Sequence, residues 1–205
     1  MVIGGPLRLD LQLIADMVEP KTRVLDVGCG DGALLKHLAT TKEVDGRGIE
    51  LSPEGVAAGV AQGLSVIQGD ADTDLADYPT DALDYVLLSQ TLPALRRPKA
   101  VLLDMLRIAR HSVVSIPNFG HWRVRARLLL GWRMPITSVF AEPWYDTPFI
   151  HPCTIADFEA LVGELGLAIK KRVAVRQDGA ASTADEPDLL VNLLSQQAVF
   201  LLGRN

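Results

Sequence analysis

The chain has 205 residues, enough for one domain at about 150 residues per domain, and a hydrophobic fraction of 48% is sufficient for a substantial core. A net charge of -5 argues against wholesale nucleic-acid binding, which needs a basic surface, and no stretch approaches the roughly 18 uninterrupted apolar residues of a membrane helix. Residues 1–205 are expected to form one cytoplasmic domain, because Met1-Val2-Ile3-Gly4-Gly5-Pro6 has no signal-peptide pattern and the two cysteines, Cys29 and Cys153, make no disulfide framework and fit a reducing compartment.

Leu7, Leu11, Ile14, Met17 and Val18 recur at helical spacing, and Glu19-Pro20 ends that helix. Arg23 to Val27 reads as a short strand, Gly28 to Gly32 as a tight turn, Ala33 to Ala39 as a helix and Arg47 to Glu50 as a second strand. Ser52 and Pro53 supply an N-cap and a first-turn proline for a helix to about Ala61. Leu64 to Ile67 is a third strand and Asp84 to Leu88 a fully buried fourth. Val101, Leu102, Met105 and Ile108 mark a helix over Pro98 to Arg110, and Ser112 to Ile116 is a fifth strand. Strands alternating with helices predict an α/β fold: a mostly parallel sheet with helices on both faces. Such sheets bind ligands at the carboxyl ends of their strands.

The alternation stops at Pro117. Residues 118–152 read as an irregular insertion rich in Arg, Trp and Pro. It resumes at Thr154, where Thr154 and Asp157 resemble a capping box and Gly166 ends the helix. Leu167 to Val175 is a strand, Gln177 to Pro187 a polar loop, Leu189 to Leu194 a short helix and Ala198 to Leu202 a final strand. Charge is uneven along this path. Asp70, Asp72, Asp74, Asp77, Asp81 and Asp84 run without a cation, whereas Arg96 to Arg133 is strongly basic, which hints at a basic face.

The motif with the most chemistry is Val24-Leu25-Asp26-Val27-Gly28-Cys29-Gly30-Asp31-Gly32, between the first strand and its helix. Its glycines keep side chains out of a turn whose N–H groups meet a polar or anionic ligand. With Ala33 in the third small position, the spacing also suits NAD. Asp26 weighs against NAD, because a carboxylate sits badly beside a pyrophosphate and well beside the ammonium of S-adenosylmethionine (SAM). Glu50 closes the second strand about 20 residues on, where an acid accepts from ribose hydroxyls. Gly69-Asp70-Ala71 closes the third strand, where Asp70 can accept from an adenine amino group. Each acid alone reads as a solvated loop carboxylate; three in this order read as one cleft.

At this point the chain resembles class I SAM-dependent methyltransferases. That resemblance implies a Rossmann-like, seven-stranded sheet whose reversed last strand is Ala198 to Leu202. It also implies SAM or S-adenosylhomocysteine as the cofactor, with Asp26, Gly28, Cys29, Gly30, Glu50, Leu51, Asp70 and Ala71 around it. Ser89 and Gln90 would lie near its methionine end. More narrowly, Ser89-Gln90-Thr91-Leu92, Pro117-Asn118-Phe119-Gly120-His121-Trp122-Arg123, Gly131-Trp132-Arg133-Met134-Pro135, Trp144-Tyr145-Asp146-Thr147-Pro148 and His151-Pro152-Cys153-Thr154 resemble the MetW family of methionine-biosynthesis proteins. This likeness implies an accessory or activating subunit of a homoserine O-acyltransferase, a MetX-type homoserine O-acetyltransferase or O-succinyltransferase. The alternative is an autonomous small-molecule methyltransferase, and an NAD-dependent oxidoreductase rests on the turn spacing alone.

A methyl-transfer apparatus is not legible. Displacement at a sulfonium needs alignment and, for some acceptors, a base. The Asn/Asp-Pro-Pro-aromatic motif of amide and ring-nitrogen methyltransferases is replaced by Ser89-Gln90-Thr91-Leu92. His121, His151 and Tyr145 are the candidate bases, each more ordinarily a structural or surface residue, and no cluster suggests a metal. Trp122, Trp132, Trp144 and Tyr145 form either a lid over the cleft or a partner surface, and Arg123, Arg125 and Arg127 either a solvated helix face or part of that surface.

Overall fold

The computed structural model describes residues 7–137, 140–176, 180–182 and 189–204. In chain order the elements are α1 (Leu9–Met17), β1 (Arg23–Val27), α2 (Ala33–Lys42), β2 (Asp45–Glu50), α3 (Pro53–Ala61), β3 (Ser65–Gln68), the helical turn α4 (Ala71–Asp74), β4 (Leu83–Ser89), α5 (Pro98–Ile108), β5 (Ala109–Pro117), α6 (Trp122–Gly131), α7 (Ile155–Glu164), β6 (Leu167–Arg176), β7 (Ala181–Ser182), α8 (Leu189–Leu194) and β8 (Ser195–Arg204). The strands form one sheet in the order β3-β2-β1-β4-β5-β8-β6-β7. β1 to β5 run parallel, and β8 inserts antiparallel between β5 and β6.

Central strands β1, β4 and β5 are near-continuous apolar runs, as parallel strands covered on both faces must be. Two clusters pack against the two faces. One joins Leu25, Val27, Val86, Leu88, Val114 and Phe200 to α5 and α7; the other joins Val24, Leu87, Val113 and Val199 to α1 and α2. Phe158 of α7 and Phe200 of β8 pack with tilted rings, centroids 4.6 Å apart. Local chemistry sets the helix starts. The Ser52 hydroxyl accepts from Gly55 N–H ahead of Pro53, and Thr154 and Asp157 form a complete capping box. Gly166, at φ +67, provides the left-handed residue that ends α7.

Three expectations change. The sheet has eight strands rather than seven, because Ala181–Ser182 pairs with Ala174 and Val175 at the edge; residues 177–179 and 183–187 of the loop read over Gln177 to Pro187 lie outside the described residues. The irregular insertion opens with a ten-residue helix, α6. It shows no helical periodicity because only Val124 of it is buried. Its interior is instead a phenylalanine cluster, with Phe119 and Phe149 each edge-on to Phe140 at 5.2 and 6.0 Å. The basic run is also partly consumed within the fold. Arg107 donates to the Leu75 and Tyr78 carbonyls and pairs with Asp104, and Arg125 donates to the Gly120 carbonyl at 2.7 Å.

Candidate functional site

β1 ends in Asp26 and Val27, and the chain then turns through Gly28, Gly30 and Gly32, all at positive φ. At Gly28 a Cβ would lie 2.6 Å from the Thr91 hydroxyl, so no larger residue fits. At Gly30 a Cβ would meet open space; there the left-handed backbone, not crowding, calls for glycine. The turn is fastened to β2 twice: Gly28 N–H donates to the Ile49 carbonyl at 2.8 Å, and Gly30 N–H donates to Glu50 Oε2 at 2.8 Å.

A cavity of about 1090 Å³ opens beside this turn. Its wall includes Asp26, Gly28, Cys29, Gly30 and Ser89 from the expected set, with Leu7, Arg8 and Leu11 around α1 and Lys36, His37 and Thr40 on α2. Glu50, Leu51, Asp70, Ala71 and Gln90 are not part of that wall. They lie at or just past the ends of β2, β3 and β4. Gly69 N–H donates to the Glu50 carbonyl at 3.0 Å, which sets the end of β3 beside that of β2.

Each acid has its own environment. Asp26 is 2% exposed and its Oδ1 has no hydrogen-bond partner among the described residues. Burial, and secondarily the Glu50 charge, push its carboxyl up to about 7. Glu50 is already half used: Oε2 holds Gly30 N–H and Oε1 holds Ser52 N–H at 2.9 Å. An ionised carboxylate has about four acceptor sites, so capacity remains. Asp70 caps α4 through Oδ1, which accepts from Asp72 N–H at 2.9 Å. Leu51, at the end of β2, is 64% exposed. The Cys29 thiol is pushed up to about 12, by burial first and then by Asp26 and Glu50. It packs with Leu35 and Val66, so this residue offers the site its backbone rather than a nucleophile.

The sequence did not reveal the polar network at the end of β4. Asp10, in the apolar stripe of α1, is 2% exposed. Its carboxylate accepts from Arg8, from Ser89 Oγ at 3.3 Å and from Gln90 Nε2 at 3.2 Å, and Gln90 Nε2 also donates to Gln197 Oε1 at 2.8 Å. The only signal was two charges interrupting that stripe. His37 was also passed over.

The candidate bases lie elsewhere. His121 is buried and caps α6, its Nδ1 accepting from Arg123 N–H at 3.3 Å; burial, then Arg123, lower its pKa. His151 is exposed, with its N–H on the Pro93 carbonyl. Tyr145 is exposed against Trp144. None of these, and none of the described residues of 118–152, lines the cavity.

Asp26 gives a stability test in the unliganded protein. Its folded pKa lies above the ordinary 3.8, so the folded state binds a proton that the unfolded state releases. The stability this group contributes is therefore complete below about pH 4 and is lost as pH rises through about 7. Asp26→Asn is expected to exceed wild type at pH 8 by a few kcal/mol, at most about 4, and to converge with it near pH 4. Urea denaturation across that range checks this; a difference independent of pH would assign the effect to packing instead.

A family model for methionine biosynthesis protein MetW matches residues 8–202. The bifunctional methionine biosynthesis protein MetXA/MetW of Rhodopirellula baltica is 31% identical over 207 residues, covering 97% of this chain and 33% of that protein. The chain spans about a third of the length of the curated relatives it matches. Among solved structures, a SAM-dependent methyltransferase of Thermotoga maritima, a possible histamine N-methyltransferase, aligns with TM-score 0.68 and 16% identity over 96% of this chain and 88% of that one. The [4+2]-cyclase SpnF aligns at 0.67 and 17% over 95% and 80%. At such identities the likeness is one of fold, and the fold carries more than one chemistry.

Proposed function

Because the chain belongs to the family of methionine biosynthesis protein MetW, we propose that it is a SAM-binding accessory subunit of a homoserine O-acyltransferase of MetX type. The observation that carries this reading is the relative in which MetXA and MetW form one protein, with the present chain aligned to a third of it. Fusion supports association, because two chains that act together gain effective concentration when linked. The test is co-expression with the acyltransferase, then copurification and an acyl-transfer assay with and without this chain. Copurification with raised acyl transfer is expected; an acyltransferase that neither binds the chain nor responds to it would sink the proposal.

The cleft fits SAM by its donor set. Asp26, buried with an unpaired oxygen, suits a cationic ammonium. The remaining lone pairs of Glu50 suit ribose hydroxyls, exposed Leu51 suits a flat apolar base, and Asp70 Oδ2, without a hydrogen bond among the described residues, suits an adenine amino group. Bound there, SAM supplies an activated methyl group. The chain's contribution is to hold and orient it, since His121, His151 and Tyr145 are occupied or exposed elsewhere. That placement favours an accessory role over autonomous methyl transfer. Stoichiometric turnover of labelled SAM with homoserine, homocysteine or their acyl derivatives would reverse this preference.

Glu50→Ala is expected to weaken SAM or S-adenosylhomocysteine binding by about 1.5–3 kcal/mol, as for hydrogen bonds to a charged group. It also frees Gly30 and Ser52 N–H, so the melting temperature falls with it. Calorimetry finding full affinity in the variant would remove Glu50 from the site.

A further inference from the structure

α6 is built against its own stability. Of its residues only Val124 is buried. Its first turn carries Arg123 and Arg125 and no acid, the wrong sign for the positive end of a helix. It ends on Trp132 at φ 54, a left-handed position that suits glycine. Each feature is unfavourable in the free chain, and all of them fall on one helix and its cap.

What the helix displays is ordered. At about 100° per residue, Trp122, Ala126, Leu129 and Leu130 form one stripe, at i, i+4, i+7 and i+8, on the face opposite Val124. Trp122, Leu129 and Leu130 are exposed. Arg123 flanks the stripe on one side and Arg125 on the other. The Arg123 guanidinium lies over the Trp122 ring, 5.3 Å from its centroid. Arg127 donates to the Ile136 carbonyl, which brings exposed Met134 and Ile136 back beside the helix. This is the layout of a helix that lays an apolar face in a groove, with anchors at i, i+4 and i+7.

Charge decides what that groove looks like. Four of the chain's 20 Lys and Arg, namely Arg123, Arg125, Arg127 and Arg133, lie between residues 119 and 141, and none of its 25 Asp and Glu does. A second copy of the chain would set these arginines against one another across a two-fold axis. An anionic bilayer would attract them but repel the rest of a chain whose net charge is -5. A protein with an apolar groove rimmed by carboxylates satisfies the stripe and its flanks together.

We propose that α6 docks the face of Trp122, Ala126, Leu129 and Leu130 into an apolar, acid-rimmed groove of the acyltransferase. The proposal rests on the reading of the chain as a subunit of that enzyme, and it identifies the element and the mode by which the two meet. Arg123 and Arg133, both exposed, face the acidic rim and steer the encounter.

The test is association with the purified acyltransferase, measured by surface plasmon resonance. Leu130→Gln should weaken binding by about 10-fold or more, mainly through faster dissociation. Ile67→Gln, at an exposed apolar side chain of edge strand β3, should leave it unchanged. Arg123→Glu with Arg133→Glu should slow association by about 10-fold at low salt and flatten its dependence on ionic strength. Unchanged melting temperature and SAM affinity in Leu130→Gln certify its fold. An acyltransferase that binds wild type and Leu130→Gln alike, or whose association ignores salt, overturns the proposal and leaves the subunit reading standing. So does a chain that uses Leu130 to dimerise in sedimentation, or to bind phosphatidylserine vesicles, and meets the acyltransferase without it. A wild type that does not bind the acyltransferase overturns both.

Discussion

Asn118→Ala is expected to destabilise the protein by about 3–5 kcal/mol, although the residue touches no part of the cleft. Asn118 is 1% exposed. Its amide donates to the Asn192 carbonyl at 2.6 Å and the Ser195 carbonyl at 2.7 Å. Its Oδ1 accepts from Gly120 N–H at 2.8 Å and Ile155 N–H at 3.3 Å. One side chain thus ties the end of β5 to the α8–β8 junction and the start of α7. Alanine takes the side-chain partner from all four buried backbone groups; at about 1–3 kcal/mol for each left unpaired, the expected loss corresponds to about two that water does not reach. For a chain of this size the melting temperature should fall by about 6–20 °C. A loss below about 1 kcal/mol in urea denaturation would mean that water replaces the amide. Gly120 belongs to the same junction, since a Cβ there would meet Asn118 Oδ1 at 2.9 Å.

The second large effect concerns the proposed acyltransferase partner. Leu129, Leu130 and Trp132 are 77%, 79% and 89% exposed, at the end of α6 and just past it. Trp144 and Tyr145 are exposed in the same insertion. Apolar side chains displayed this way mark a surface that something covers. Trp132 also sits at φ 54 as the C-cap of α6, a left-handed position where glycine is the comfortable residue and tryptophan is strained. Trp132→Gly with Leu129→Asp should therefore leave the isolated chain at least as stable as wild type. It should weaken binding to the acyltransferase by about 30-fold or more, as loss of a tryptophan anchor does, and leave SAM affinity unchanged. Retained copurification with lost SAM binding would make this segment a lid. Trp122 and Arg125 are poorer probes: Trp122 lies under the Arg123 guanidinium at 5.3 Å, and Arg125 braces the Gly120 carbonyl.

What the sequence made legible follows from where burial writes a pattern. β1 was readable to its boundaries because four of its five residues are buried, and α3 and α7 because Ser52 and Thr154 cap them. β2 starts earlier than Arg47 because Asp45 and Gly46 pair with Arg23 and Val24 without an apolar signal. α6 was missed because its exposed leucines and arginines bury almost nothing. At the site, the glycine turn and the three acids at strand ends were visible, since their spacing along the chain is their chemistry. Arg8 and Asp10 were not, because their meaning comes from Ser89 and Gln90, some eighty residues away. The sequence also could not show that Glu50 fastens the glycine turn to β2.

The reversed strand has a consequence for how the molecule is made. β8 is synthesised after every strand it joins, yet it occupies the interior of the sheet between β5 and β6. Until Ser195–Arg204 leaves the ribosome, β5 and β6 each present an open, apolar edge, the kind of edge that templates pairing with another chain. The pairings of β8 with β5 are also the strand pairings most distant in sequence, as in Ser112 with Leu202, so they form slowly. The nascent chain therefore passes through an unzipped intermediate whose two halves wait for one missing strand, and aggregation during overproduction should be concentrated in that interval.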